Sequence, residues 1–189
     1  MTDEDLIQSF YNGDREALRV LFERHKDGVF NFALRMLANR ADAEDITHEV
    51  FTRLCDNHGK YTPSARFKTW LFTIARNACL DKIRSRRKWG SLWFKSPENH
   101  QDVEMDIPSP EASPSQNLDN KEAVEVIQLA IGKLPGDQRE AIILREYEQL
   151  AYDQIAEILG CSLANVKVLI YRARVQLKET IPAFIKEGR

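Results

Sequence analysis

Cysteine, glycine and proline are all scarce in this chain of 189 residues, and each scarcity excludes something. The three cysteines, Cys55, Cys79 and Cys161, are odd in number, far apart and in no CxxC pair, so neither a disulfide framework nor a zinc site is expected. Each reads as a small buried or half-buried residue. Glycine and proline are sparse outside one stretch and no strand-like alternation persists, which favours an all-α fold. No apolar run approaches the roughly 20 residues that span a bilayer. The opening MTDEDLIQSF is acidic where a signal peptide would be basic, so no membrane insertion and a cytoplasmic location are expected. Charge of one sign is also lacking: 27 Lys and Arg stand against 29 Asp and Glu, which excludes a protein that coats nucleic acid by charge alone. What is present is core material. Nine Phe, five Tyr and three Trp suffice for one ordinary domain or two small ones.

Charge is distributed unevenly along the chain. Residues 89–120 hold only Lys95 against Glu98, Asp102, Glu104, Asp106, Glu111 and Asp119, with Pro97, Pro108, Pro110 and Pro114 among Ser, Asn and Gln. This composition is that of a flexible acidic linker, and as a coil it would hold its ends about 30 Å apart. It divides the chain into two small helical domains, 1–94 and 121–189, with 95–120 as tether. Trp89, Leu92, Trp93 and Phe94 at its start are apolar enough either to close off the first domain or to meet a partner.

The C-terminal part is organised around LAYDQIAEILGCSLANVKVLIYRARVQLK, residues 150–178. Ile155, Ile158 and Leu159 mark one helix face, Gly160 ends that helix, Ser162 caps the next, and Val166, Ile170, Ala173 and Leu177 mark its buried stripe. This is helix-turn-helix spacing. Asn165, Lys167, Val168, Tyr171, Arg172 and Arg174 fall outside the stripe, a mix of amide, cations and methyl groups suited to a DNA major groove. The competing reading is an αα-hairpin with solvated cations. Two further helices precede it, one through Ala123, Val124, Ile127, Ala130, Ile131 and Leu134, the other through Ala141 to Tyr147, with Pro135 between them. The tail from Ile181, holding Pro182, is expected to dock loosely or fray.

In the N-terminal part, Leu6, Ile7 and Phe10 open a short helix that stops near Gly13. Asp14 caps a second helix, and a third starts near Asp27. In ADAEDITHEVFTRL the apolar Ile46, Val50 and Leu54 face inward and leave Glu44, Asp45, His48 and Glu49 outside. Acid/base or metal chemistry would need a pocket and further ligands, so a solvated face or a protein-docking surface is the expectation. From Tyr61 to Lys88 aromatic and basic residues interleave. Leu71, Ile74, Ala75, Ala78 and Ile83 form the inner face, and Tyr61, Phe67, Trp70, Phe72, Arg76, Asn77, Lys82, Arg84, Arg86, Arg87 and Lys88 stand around it. Rings that stack on unpaired bases beside cations that hold phosphates suit melted DNA. Phe72 and Trp70 equally suit a core.

Three motifs in this order resemble the sigma-70 family of bacterial RNA polymerase initiation factors, specifically its small extracytoplasmic-function group. DAEDITHEVFTRL is similar to that group's polymerase-docking helix, FKTWLFTIARNACLDKIRSRRK to its promoter-melting helix, and residues 134–177 to its upstream-element domain. The resemblance implies a non-enzymatic factor, with no cofactor, whose partners are core RNA polymerase, promoter DNA and an anti-sigma factor. Residue by residue, it implies that Asp45, His48 and Glu49 meet polymerase. Tyr61, Trp70 and Asn77 would lie at the melted minus-10 strand, Asn77 beside a flipped-out base, with Arg76, Arg84 and Arg87 as the neighbouring cations. Arg145, Asn165, Lys167, Val168, Tyr171 and Arg172 match the positions that meet the minus-35 duplex.

This chain departs from the group's pattern at three places. His48 stands where a glutamine is usual, Ala151 lacks the hydroxyl that usually caps the first helix of the DNA reader, and Val168 and Leu169 replace a small polar residue and an arginine. The upstream preference therefore does not carry over. The alternatives on residues alone are a self-sufficient helix-turn-helix regulator, an interaction protein that uses the acidic face of 42–49, and a hydrolase, for which no organised nucleophile is visible.

Overall fold

Thr2 starts the first helix, α1 (Asp3–Tyr11), with a reciprocal cap: its Oγ1 accepts from the Asp5 amide at 3.1 Å and Asp5 Oδ2 accepts from the Thr2 amide at 2.9 Å. The computed structural model describes residues 1–56, 66–93 and 117–187, and of 87–93, 117–123 and 183–187 the backbone alone. Asp14 caps α2 (Arg15–Leu37) through the Glu16 amide. One helix stands here where two were expected. It runs through Asp27 and Gly28 because Ala17, Leu21, Val29, Phe32, Ala33 and Met36 form a single buried stripe. That burial outweighs the penalty of about 1 kcal/mol for a mid-helix glycine.

Asn39 Oδ1 accepts from the Asp42 amide at 2.9 Å to start α3 (Arg40–Asp56), and α4 (Phe67–Trp93) completes the first unit. The helices pack α1 on α2 and α4, α2 on α3 and α4, and α3 on α4. At the centre Phe32 of α2 meets Phe72 of α4 edge-on, ring centroids 5.5 Å apart, and both are fully buried. Phe67, expected on the nucleic-acid side, is also fully buried, beneath His25 and Trp70. Of the cysteines Cys79 is buried and Cys161 half-buried; Cys55 is exposed, contrary to expectation, because it lies in the last turn of α3 beyond the buried Leu54.

The second unit holds α5 (Asn117–Gly132), α6 (Gly136–Glu146), α7 (Tyr152–Leu159) and α8 (Leu163–Glu187). The two compact units are Met1–Met105 and Asp106–Arg189. Helix α5 begins inside the stretch read as linker; the rest of that stretch, 95–116, lies outside the described residues. Helices α5, α6 and α7 all pack on α8. Among the described side chains of α5 the buried ones lie at its C-terminal end, Ala130 and Ile131, with Leu134 just beyond it. Val124 and Ile127, expected in the core, are exposed because the described neighbours cover only that end. The tail is helical rather than frayed: α8 continues through Pro182, whose fixed φ suits a helix and whose missing N–H removes one ladder bond. Among the described residues there are eight helices and no strand, and no single helix is long and apolar enough to cross a membrane.

Candidate nucleic-acid interface

Helix α4 buries Leu71, Phe72, Ala75, Ala78 and Cys79, so the opposite side of the helix faces away from the core. Trp70, Asn77 and Arg84 follow one another at seven-residue intervals along that opposite side. Seven residues are nearly two turns, so the three share a stripe about 21 Å long. Asn77 and Arg84 are exposed; Trp70 is half-buried, its ring 6.2 Å from that of Phe67. The stripe thus offers a ring, an amide and a guanidinium. Arg76 and Arg87 lie about a quarter turn aside by register, Arg76 half-buried. Tyr61 and the side chain of Arg87 lie outside the described residues.

The cations of α4 are not all free for phosphate. Lys82 Nζ lies 3.0 Å from Asp42 Oδ1 and 3.5 Å from Asp45 Oδ2, and Arg86 pairs with Asp42 and reaches the Leu37 carbonyl at 3.4 Å. These two fasten α4 to the start of α3. Arg84 pairs with Asp81 one turn earlier at 3.2 Å, a contact between two exposed groups that is worth well under about 1 kcal/mol and yields readily to a phosphate. Sequence alone marked Lys82 and Arg86 as candidate phosphate ligands because spacing on one helix does not reveal the carboxylates that a neighbouring helix brings.

On α3 the acidic face stands as expected. Asp45 is 71% exposed, His48 is exposed, and Glu49 is half-buried beside its ion-pair partner Arg53. The three lie at i, i+3 and i+4, a single patch on the outer side of the helix. Among the described residues no group of three metal-ligating side chains comes together.

In the second unit the turn between α7 and α8 is built from Gly160, in the left-handed region at φ 65°, and Ser162, whose Oγ accepts from the Asn165 amide at 3.2 Å. The missing hydroxyl at Ala151 is half replaced: the Ala151 amide donates to Gln154 Oε1 at 3.0 Å. Ile155 and Ile158 of α7 are buried with Val166, Ile170 and Ala173 of α8, while Leu159 and Leu177 are half-buried. The outward face of α8 carries Asn165, Lys167, Val168, Tyr171 and Arg172, all exposed. Arg174 is held by Glu146 of α6 at 2.6 Å, and that carboxylate raises its pKa. Arg145 differs from the other expected DNA contacts. Its Nη1 donates to the Leu150 carbonyl at 2.9 Å and its guanidinium lies 4.8 Å from the Tyr152 ring centre, so it ties the loop before α7 in place.

Comparison with known proteins fits this geometry. Residues 21–89 match the family model of sigma-70 region 2 and residues 125–177 that of sigma-70, region 4. The ECF RNA polymerase sigma factor SigW of Bacillus subtilis (strain 168) is 30% identical over 185 residues, 93% of this chain and 94% of the relative. The ECF RNA polymerase sigma factor SigE of Mycolicibacterium smegmatis is 34% identical over 160 residues, 84% of this chain and 59% of that longer protein. The sigma factor RpoE of Bartonella quintana, solved in complex with the anti-sigma factor NepR, superposes with a TM-score of 0.69 at 25% identity, over 90% of this chain and 98% of that one. A self-sufficient regulator is not favoured by these matches, and sigma factors are initiation factors with no enzymatic activity of their own. The chain belongs to the sigma-70 family, as an RNA polymerase sigma factor of the extracytoplasmic-function type.

Proposed function

We propose that this factor divides promoter recognition between its two units. Residues 1–94 dock on core polymerase through Asp45, His48 and Glu49 and hold the unpaired minus-10 strand along Trp70, Asn77 and Arg84, with Tyr61, Arg76 and Arg87 beside it. Residues 121–189 read the minus-35 duplex through Asn165, Lys167, Val168, Tyr171 and Arg172, and the acidic segment 95–120 is the tether. The observation that carries this is the α4 stripe: a stacking ring, a hydrogen-bonding amide and a loosely held guanidinium, spaced along the side of the helix turned from the core.

Electrostatics supports a factor that depends on polymerase. The chain has a formal net charge of −2, and Lys82, Arg86 and Arg174 are engaged by carboxylates. Those three are not free for phosphate and the chain carries no net positive charge, so affinity for DNA alone is expected to be weak and to fall steeply with salt. Polymerase supplies the rest. The cytoplasm is the compartment this requires, and an anti-sigma protein is a further partner, as it is for the Bartonella quintana factor. The test is RNA synthesis by core polymerase on a promoter library with and without this chain. Selective initiation only in its presence is the expected result, and its failure to bind core polymerase or to select any start site overturns the proposal.

A further inference from the structure

The outward face of α8 is centred on apolar atoms rather than on hydrogen-bonding ones. Val168 is 42% exposed, Tyr171 69% and Val175 40%, at spacings of three and four residues, so they form one stripe opposite the buried Val166, Ile170 and Ala173. Exposed Lys167 and Arg172 flank the stripe. On a helix set into a major groove the N-terminal turns meet the base edges and later turns move away along the backbone. Val168 is the sixth residue of α8 and lies within its first two turns; Val175 lies about 10 Å further on.

Valine can neither donate nor accept a hydrogen bond. The one apolar group on the floor of the major groove is the C5-methyl of thymine. Placing Val168 over guanine, cytosine or adenine would strip water from a base edge without replacing its hydrogen bonds, whereas over thymine it buries methyl against methyl. Resting on the proposal that α8 enters the minus-35 duplex, we propose that Val168 is a specificity-determining residue that selects a thymine in that element by its methyl group. Lys167 and Arg172 hold the phosphates on either side and set the depth of insertion without choosing the base. Because Val168 is exposed on the face opposite the buried Val166, Ile170 and Ala173, its replacement is expected to leave the packing of α8 on α6 and α7 intact.

The experiment uses the full chain with core polymerase on a promoter taken from a randomised library by transcription. Each thymine of the protected upstream duplex is replaced in turn by deoxyuridine, which lacks only the methyl. With the native chain one such replacement is expected to weaken binding about fourfold, the worth of one buried methyl-sized group. With Val168→Ala the native promoter is expected to bind about fourfold more weakly, and the same deoxyuridine to make no further difference. Equal binding of every deoxyuridine duplex by the native factor overturns the inference, as does an unchanged deoxyuridine effect in Val168→Ala. In both of those cases upstream protection persists. Loss of upstream protection altogether instead overturns the placement of α8 on the duplex, and this inference with it.

Discussion

Glu4 Oε1 accepts a hydrogen bond from the backbone amide of Phe67 at 3.0 Å, so a residue of α1 caps the helix that carries Trp70, Asn77 and Arg84. Helix α4 has no acidic residue in its own first turn, and the Glu4 carboxylate both satisfies a free amide there and complements the positive end of the helix. Beside it Asp3 binds Arg24 at 2.9 Å and His25 at 2.7 Å, pinning α1 to α2. Glu4→Ala is expected to destabilise the first unit by about 1 kcal/mol. Thermal or urea unfolding checks this; a variant as stable as the native chain would mean that the contact is not maintained in solution.

Asp45→Arg combined with Glu49→Arg is expected to abolish binding to core polymerase, since two like charges replace the acids at an exposed patch and like-charge contacts cost several kcal/mol at an interface. The fold should survive. Lys82 keeps its nearer partner Asp42 when Asp45 is lost, and the Glu49–Arg53 pair is a half-exposed contact within one helix. Co-purification with core enzyme, alongside circular dichroism of the free chain, reads the two effects separately. Retained co-purification would remove α3 from the docking surface.

Asn77→Ala should weaken recognition of the melted element about tenfold, the equivalent of one or two hydrogen bonds to a base edge, and leave upstream duplex binding alone. Asn77 is exposed on the side of α4 away from the core, so stability should not change. Initiation from promoters varied one base at a time in the minus-10 element is the measurement. The same base preference in native and variant factors would count against Asn77 as the contact.

Arg145 and Arg172 are expected to behave differently although both occupy positions assigned to the duplex. Arg172→Ala, at an exposed site, should leave the melting temperature unchanged and reduce the salt dependence of promoter binding by about one unit of slope. Arg145→Ala removes the bond to the Leu150 carbonyl and the stack on Tyr152, so it should lower stability by about 1–2 kcal/mol as well as weaken binding. Unfolding curves beside salt titrations of binding distinguish them, and equal stability of the two variants would contradict a structural role for Arg145.

The periodic segments were legible because a helix repeats every 3.6 residues and its buried stripe must be apolar. Val166, Ile170 and Ala173, or Leu71, Ala75 and Ala78, declare themselves by spacing alone. Caps were legible for the same local reason: Asp14, Gly160 and Ser162 act within two or three residues of where they stand in the chain. The new helix expected to start near Asp27 does not form, because the continuous buried stripe on either side overrides the local cost of Gly28.

What the amino-acid sequence determined by itself was most of the helices and most of their inner faces, the acidic composition of 95–120 and the motifs in family order, since each depends on residues close together in the chain; the single α2 through Asp27 and the exposure of Val124 and Ile127 were not among them. Tertiary structure decided which charges are spent. Glu4 finds Phe67 across 63 residues, Asp42 holds Lys82 and Arg86, Glu146 holds Arg174, and Phe67 passes from the expected surface to the core. Spacing along one helix shows which way a side chain points; what it meets there depends on the helix packed against it, and that is set only when distant segments are brought together.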